Sequence, residues 1–189
     1  MLIRKATAAD IPDLLRLLVQ VCNVHQDIRP DIFKRDGVKY TESDLTELLA
    51  DDTRPVWCAV EDGQFLGYCF CQWEEMPDNS VGFARKELYI DDLCVDEAAR
   101  GKGVATALFR YVTDTAKAAG ATFITLNVWQ GNSALDFYEK MSSWTFPWRT
   151  QNADEKPNLH RRDRGLHLGG PGRCQNRGLR RFRAQRHGR

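Results

Sequence analysis

At 189 residues, 42% apolar and 28% charged, the chain is long enough for one domain with a sizeable core and too apolar to be disordered as a whole. No apolar run approaches the ~20 residues that a bilayer crossing needs, so no membrane partner is expected. The formal net charge of +1 hides a split: residues 1–148 hold 15 Lys and Arg against 23 Asp and Glu, whereas residues 149–189 hold 12 against 3.

Leu2 to Ala6 reads as a first strand, and Met1 leads into it without an apolar signal segment. Thr7 or Asp10 can cap the helix that follows, with Pro12 tolerated in its first turn. Ile11, Leu14, Leu15, Leu18, Val19 and Cys22 recur at helical spacing as an apolar stripe. Asn23 to Tyr40 is polar and irregular, broken by Pro30 and Gly37, and Thr41 opens a second short helix ending near Asp51. Val56–Glu61 and Phe65–Trp73 flank Asp62-Gly63, a strong hairpin signal. Glu74 to Ala84 is a polar loop.

The six cysteines, Cys22, Cys58, Cys69, Cys71, Cys94 and Cys174, form no Cys-x-x-Cys pair. Several lie in apolar strands, where a free thiol behaves as a small hydrophobe. A reducing cytoplasm is therefore the expected compartment. Three of the four histidines fall in the last 30 residues, which leaves little material for a metal or catalytic cluster, and no metal is expected.

The centre of the chain is Glu87 to Val95, a run with strand propensity, followed by Asp96 to Arg110 with a glycine-rich bend. Gly101 and Gly103 allow a tight turn and a close ligand approach where a Cβ would collide. From Val104 onward Ala107, Leu108, Tyr111, Val112 and Thr115 recur at helical spacing, with Gly120 as C-cap. A helix starting at such a bend aims unpaired N–H groups at an anion, and Arg100 and Lys102 add positive charge there. The local pattern alone is weak, since a bare strand-to-helix turn has the same glycines. It is neither a Walker loop nor a dinucleotide fingerprint. Thr122–Val128 reads as the next strand after a crossover, and Ser133–Met141 as a final helix.

Arg100-x-x-Gly103-x-Ala105, directly downstream of Leu93-Cys94-Val95, resembles the (Arg/Gln)-x-x-Gly-x-(Gly/Ala) signature of the GNAT acyltransferase superfamily. The later run from Asn127 through Asn132 to Tyr138 also looks like that family, and the resemblance spans about Leu2 to Met141. It implies an α/β single domain: a mixed, strongly bent sheet flanked by helices. It also implies acetyl-CoA as co-substrate and direct transfer of its acetyl group to a primary amine, without a covalent enzyme intermediate. By the same resemblance, backbone amides from Arg100, Gly101, Lys102, Gly103, Val104, Ala105 and Thr106 would cradle the cofactor pyrophosphate. Leu93, Cys94 and Val95 would pair with its pantetheine arm like an added strand, and a bulge there would leave a donor for the thioester oxygen.

Tyr138 is the candidate general acid; its other reading is a core aromatic. Asn132 resembles the family asparagine that contacts the cofactor arm; its other reading is a helix N-cap. Their spacing of six departs from the seven associated with the family. For the base, Asp91 and Asp92 are the first candidates and Glu75 the third. Alternation along a strand predicts that only one of Asp91 and Asp92 faces the site. An aspartate near its ordinary pKa of ~4 is a weak base, so it would act through water or need desolvation. In the family the early region shapes the acceptor pocket. Small-molecule amine, antibiotic, peptide N-terminus and protein lysine all stay open as acceptors.

After Met141 the pattern stops, where the family would continue with a Gly-containing bend and two more strands. Ser142–Trp148 has some apolar content but no evident pairing partner, and Gln151–Arg189 is Arg-, Gly- and Pro-rich, which reads as disordered. Residues 1–141 thus form a domain lacking its usual terminal strands, and residues 142–189 an atypical basic tail. A shifted reading frame near Met141 accounts for the abrupt change of charge and periodicity. In that case the chain would be a catalytically impaired CoA-binding protein. A basic arm for nucleic acid is the other account, against which stands a single aromatic, Phe182, beyond Trp148.

Overall fold

Asp62 and Gly63 both take left-handed backbone, φ 49° and 77°, the pair of positive angles that a two-residue hairpin turn needs. They join β2 (Val56–Glu61) to β3 (Gln64–Met76), pairing Glu61 with Gln64 as the sequence predicts. In the computed structural model, which describes residues 1–145, 148–151 and 179–185 and the side chains through Met141, this hairpin is the nucleus of the sheet. β1 (Leu2–Lys5) runs antiparallel to β2, and β4 (Arg85–Val95) antiparallel to β3. The chain then crosses over through helix α3 (Val104–Ala118) to β5 (Phe123–Trp129), which is parallel to β4. The mixed sheet with helices is the α/β architecture expected.

Both sheet faces are covered, and the period of two sorts residues between them. Tyr68, Phe70 and Cys94 pack with Leu14, Leu17 and Leu18 of α1 (Ile11–Ile28) and Leu45 and Leu48 of α2 (Glu42–Leu49). Cys69, Cys71, Leu88, Ile90, Ile124 and Leu126 pack with Leu108, Phe109 and Val112 of α3, joined by Tyr138 and Met141 of α4 (Ala134–Thr145). Thr41 caps α2: its hydroxyl accepts from the Asp44 N–H at 3.2 Å, and Asp44 accepts from the Thr41 N–H at 2.8 Å. Gly67 lies where β3 meets β4 most tightly. A Cβ there would stand 2.6 Å from the Cys94 carbonyl oxygen.

Besides β3, which runs on to Met76 and so takes Glu74 and Glu75 out of the expected loop by pairing them with β4, three expectations change. The buried stripe of α1 uses Leu17 in place of Leu15 and Val19. That helix also runs to Ile28, past Asn23, because His25 stacks on Phe33 at 5.2 Å and tertiary contact outweighs weak propensity. The third change concerns the tail. Residues 148–151 form β6 and Leu179–Gln185 form β7, giving the order β1-β2-β3-β4-β5-β7-β6. β7 pairs antiparallel with β5 from Phe123↔Gln185 to Trp129↔Leu179, and β6 adds outside it. The composition of Gln151–Arg189 hides this strand because ladder pairing uses only backbone groups, and the open edge of β5 accepts any extended chain. The disorder expected for residues 152–178 and 186–189 lies outside the described residues. No described helix is long and apolar enough to cross a membrane.

Candidate active site

β4 and β5 pair from Glu87↔Phe123 to Ile90↔Leu126 and then part, although β4 continues to Val95 and β5 to Trp129. A cavity of about 500 Å³ opens between the separated ends. Tyr89–Val95 and Leu126–Trp129 form two of its walls, and Val21, Val24 and His25 of α1 contribute from one sheet face. Asn132, Phe137 and Tyr138 approach from the start of α4, and Arg100 and Ala105 from the start of α3. The backbone of residues 91–95 has no β5 partner and borders this space.

A bulge decides how the aspartates point. Phe70 pairs with Asp92 and Cys71 with Ile90, so Asp91 is an extra residue in β4 with no place in the β3 register. Alternation fails at this one point, and both carboxylates end on the α1/α2 face. This corrects the expectation that only one of them would face the site. Asp92 accepts from the Tyr68 hydroxyl at 2.9 Å, and Asp91 accepts from Lys39 Nζ at 2.5 Å and from the Tyr40 hydroxyl at 3.3 Å. Burial, reinforced by the neighbouring Asp91 charge, pushes the Asp92 carboxyl up to about 6 against the pull of Lys39 and Tyr68. Burial alone would lower the Lys39 ammonium, but the Asp91 carboxylate beside it carries the net shift upward. Glu75 stands apart: its carboxylate is exposed, 3.9 Å from Lys86, and does not line the cavity.

The glycine-rich bend enters α3 as expected. Gly101 and Gly103 have φ of 77° and 80°, and a Cβ on either would meet no protein atom within 4 Å. Left-handed backbone by itself calls for glycine at both positions. Gly103 is the N-cap of α3, so the N–H groups of the first turn lie beyond it without intrahelical acceptors. Arg100 and Ala105 reach the main cavity. Lys102 instead lines a second cavity with Asp13, Arg16 and Asp96. Val104 is buried in the α3 core, and Thr106 does not line the main cavity.

Leu93, Cys94 and Val95 line the cavity, and the Cys94 thiol faces away, 3.6 Å from the Leu17 carbonyl oxygen. Burial pushes that thiol up to about 12. On the opposite wall Tyr138 is 7% exposed and packs on Phe109 and Phe137. Burial drives its phenol well above the ordinary tyrosine value, which keeps it protonated. Asn132 fulfils its helix-capping reading, accepting from the Ala134 N–H at 2.9 Å, while also lining the cavity.

Sequence reasoning missed Lys39, Tyr40, Tyr68 and His25. Lys39 and Tyr40 sit in a polar stretch without periodicity, and 52 residues separate Lys39 from Asp91. Gly67 was legible in principle, since an isolated glycine inside a strand pattern signals close backbone approach. Among the described residues no group of three or more His, Cys, Asp or Glu is placed to hold a metal ion.

Solved structures share this fold. A tetramutant of the BH1408 protein from Bacillus halodurans is 26% identical, with a TM-score of 0.71 over 90% of this chain and 99% of that one. The PaiA N-acetyltransferase of Thermoplasma acidophilum, solved in complex with coenzyme A, is 13% identical, with a TM-score of 0.66 over 98% of both chains. An acetyltransferase from Vibrio fischeri is 22% identical, with a TM-score of 0.56 over 67% of this chain and 94% of that one. No curated protein matches this chain significantly. The model of the acetyltransferase (GNAT) family matches residues 18–142, which include the bend, the bulge and the residues that line the cavity, and the chain belongs to that family of acyltransferases.

Proposed function

We propose that the protein transfers an acetyl group from acetyl-CoA directly to a primary amine. The observation that carries this reading is one cavity that joins an unpaired strand edge to a carboxylate shifted to about 6 and a buried protonated phenol on the facing wall. The chain's residues fit the co-substrate. Arg100 at the cavity and the first-turn amides beyond Gly103 suit a pyrophosphate, and the free edge of residues 91–95 suits an extended amide-bearing arm. Acetyl-CoA supplies an activated thioester carbonyl.

Asp92 is the base of this proposal. With a pKa near 6 it is ionised at neutral pH and is a stronger base than an ordinary aspartate, so it takes the surplus proton of the acceptor ammonium, directly or through one water. The amine nitrogen then forms the new bond to the acetyl carbon as the carbon–sulfur bond breaks. Tyr138 gives its proton to the departing sulfur and is reprotonated, through solvent, by the second proton that the nitrogen sheds as it becomes an amide. Charge developing on the carbonyl oxygen falls beside the bulged Asp91 peptide, which the β3 ladder does not use. The net products are an amide, a free thiol and the proton left on Asp92.

The test has two stages. Acetyl-CoA should raise the melting temperature of the full chain. A panel of primary amines with acetyl-CoA should then release free thiol with matching mass gain of one acetyl group on the amine. A melt unmoved by millimolar acetyl-CoA would overturn the reading.

A further inference from the structure

We infer that Lys39 occupies the acceptor-amine position as an internal competitor, so that the acceptor is a primary alkylammonium that must displace it from Asp91. This deepens the transfer reading above and rests on it. Three observations from separate parts of the chain converge on the Lys39 ammonium.

The first is contact. Lys39 Nζ lies 2.5 Å from Asp91 Oδ2, on the residue that the bulge pushes out of register and into the cavity wall. The second is surroundings. The same ammonium stands 5.3 Å from the centroid of the Tyr40 ring, and its charge bears on both Asp92 and His25, two further cavity residues. The Asp91 carboxylate and the Tyr40 ring face together make a cage for a cation. The third is anchoring. Tyr40 is held by Phe70 at 5.6 Å between ring centroids and by Arg54, whose Nη2 donates to its hydroxyl at 3.2 Å. The segment is fixed at Tyr40, yet the Lys39 side chain is 45% exposed and free to swing into solvent on its unbranched stem.

Asp91, the partner of Lys39, lines the cavity beside Asp92, so an acceptor ammonium that approaches Asp92 also meets the Asp91 carboxylate. A second primary ammonium on an alkyl chain can replace Lys39 charge for charge. A neutral arylamine cannot, because it would leave the Asp91 carboxylate without its cation. A half-exposed ion pair of this kind changes an apparent affinity by about fivefold, through the fraction of molecules in which the cage is open.

n-Butylamine serves as the probe, by calorimetric titration of the full chain without acetyl-CoA and then by steady-state kinetics with it. Lys39→Gln should bind butylamine about fivefold more tightly than the natural chain and show a correspondingly lower KM for it, with the KM for acetyl-CoA unchanged. Lys39→Arg should restore the weaker binding, and Lys34→Gln, on the same segment but away from the cage, should leave it unaltered. Equal butylamine affinity in the natural chain, Lys39→Gln and Lys39→Arg would overturn the inference. So would a gain in Lys34→Gln equal to that in Lys39→Gln, because that would report net charge alone. The acetyl-CoA melting shift is read separately on each variant, so failure of the cofactor reading is distinguished from failure of this one.

Discussion

The two halves of β4 do opposite work. Glu87–Ile90 pairs with β3 on one side and with β5 on the other, and Leu88 and Ile90 are 0% and 3% exposed. Asp91–Val95 pairs with β3 alone, and carries two carboxylates on one face in place of apolar side chains. Ladder bonds on both edges and a full core make the first half a source of stability. The second half leaves backbone donors and acceptors open toward a cavity, which a ligand can complete. One strand supplies both because a single extra residue and the end of a parallel ladder fall at the same place.

The largest effect expected is in the paired half. Leu88→Ala removes a fully buried side chain and should cost about 2–5 kcal/mol in denaturant unfolding. A cost under about 1 kcal/mol would break the contrast. In the open half, Tyr138→Phe deletes only a phenol oxygen and should lower kcat about a hundredfold or more, with the KM for acetyl-CoA little changed. Unchanged kcat would leave Tyr138 as a core aromatic.

Asp92→Asn should separate stability from activity. In the natural chain kcat/KM should rise with pH through about 6 as Asp92 ionises, and this limb should vanish in the variant. The sign for stability runs the other way. The folded carboxyl titrates above its unfolded value, so its contribution is fully present below the ordinary aspartate range and is lost as pH rises through about 6. At pH 7 the variant should therefore be more stable by an amount on the order of 2 kcal/mol, an advantage that disappears near pH 4. Parallel melting curves at the two pH values check it. The smallest effect belongs to the bend: Gly103→Ala forces a Cβ into left-handed backbone at a cost of about 1 kcal/mol and should weaken acetyl-CoA binding severalfold.

Much of this was legible before any coordinates. Asp62-Gly63 specified its hairpin because few residue pairs tolerate two positive φ angles in succession, and the family was legible through the resemblance of Arg100-x-x-Gly103-x-Ala105 to its signature. Amphipathic spacing placed α1, α2, α3 and α4 to within a few residues, although it preferred Leu15 and Val19 to the buried Leu17. Strand β7 was not legible, since its pairing with β5 uses backbone groups that every residue carries.

Local signals of period, turn and cap are short-range, and they by themselves determined most elements and the central strand–bend–helix unit, while the family resemblance singled out the acidic and phenolic candidates. Tertiary structure alone decided which of those side chains share a space. The bulge that turns Asp91 and Asp92 to one face arises from register against β3, and the cavity from where β4 and β5 cease to pair. Lys39 reaches Asp91 across 52 residues of chain. Contacts of that kind are set by packing in three dimensions, and no spacing along the chain encodes them.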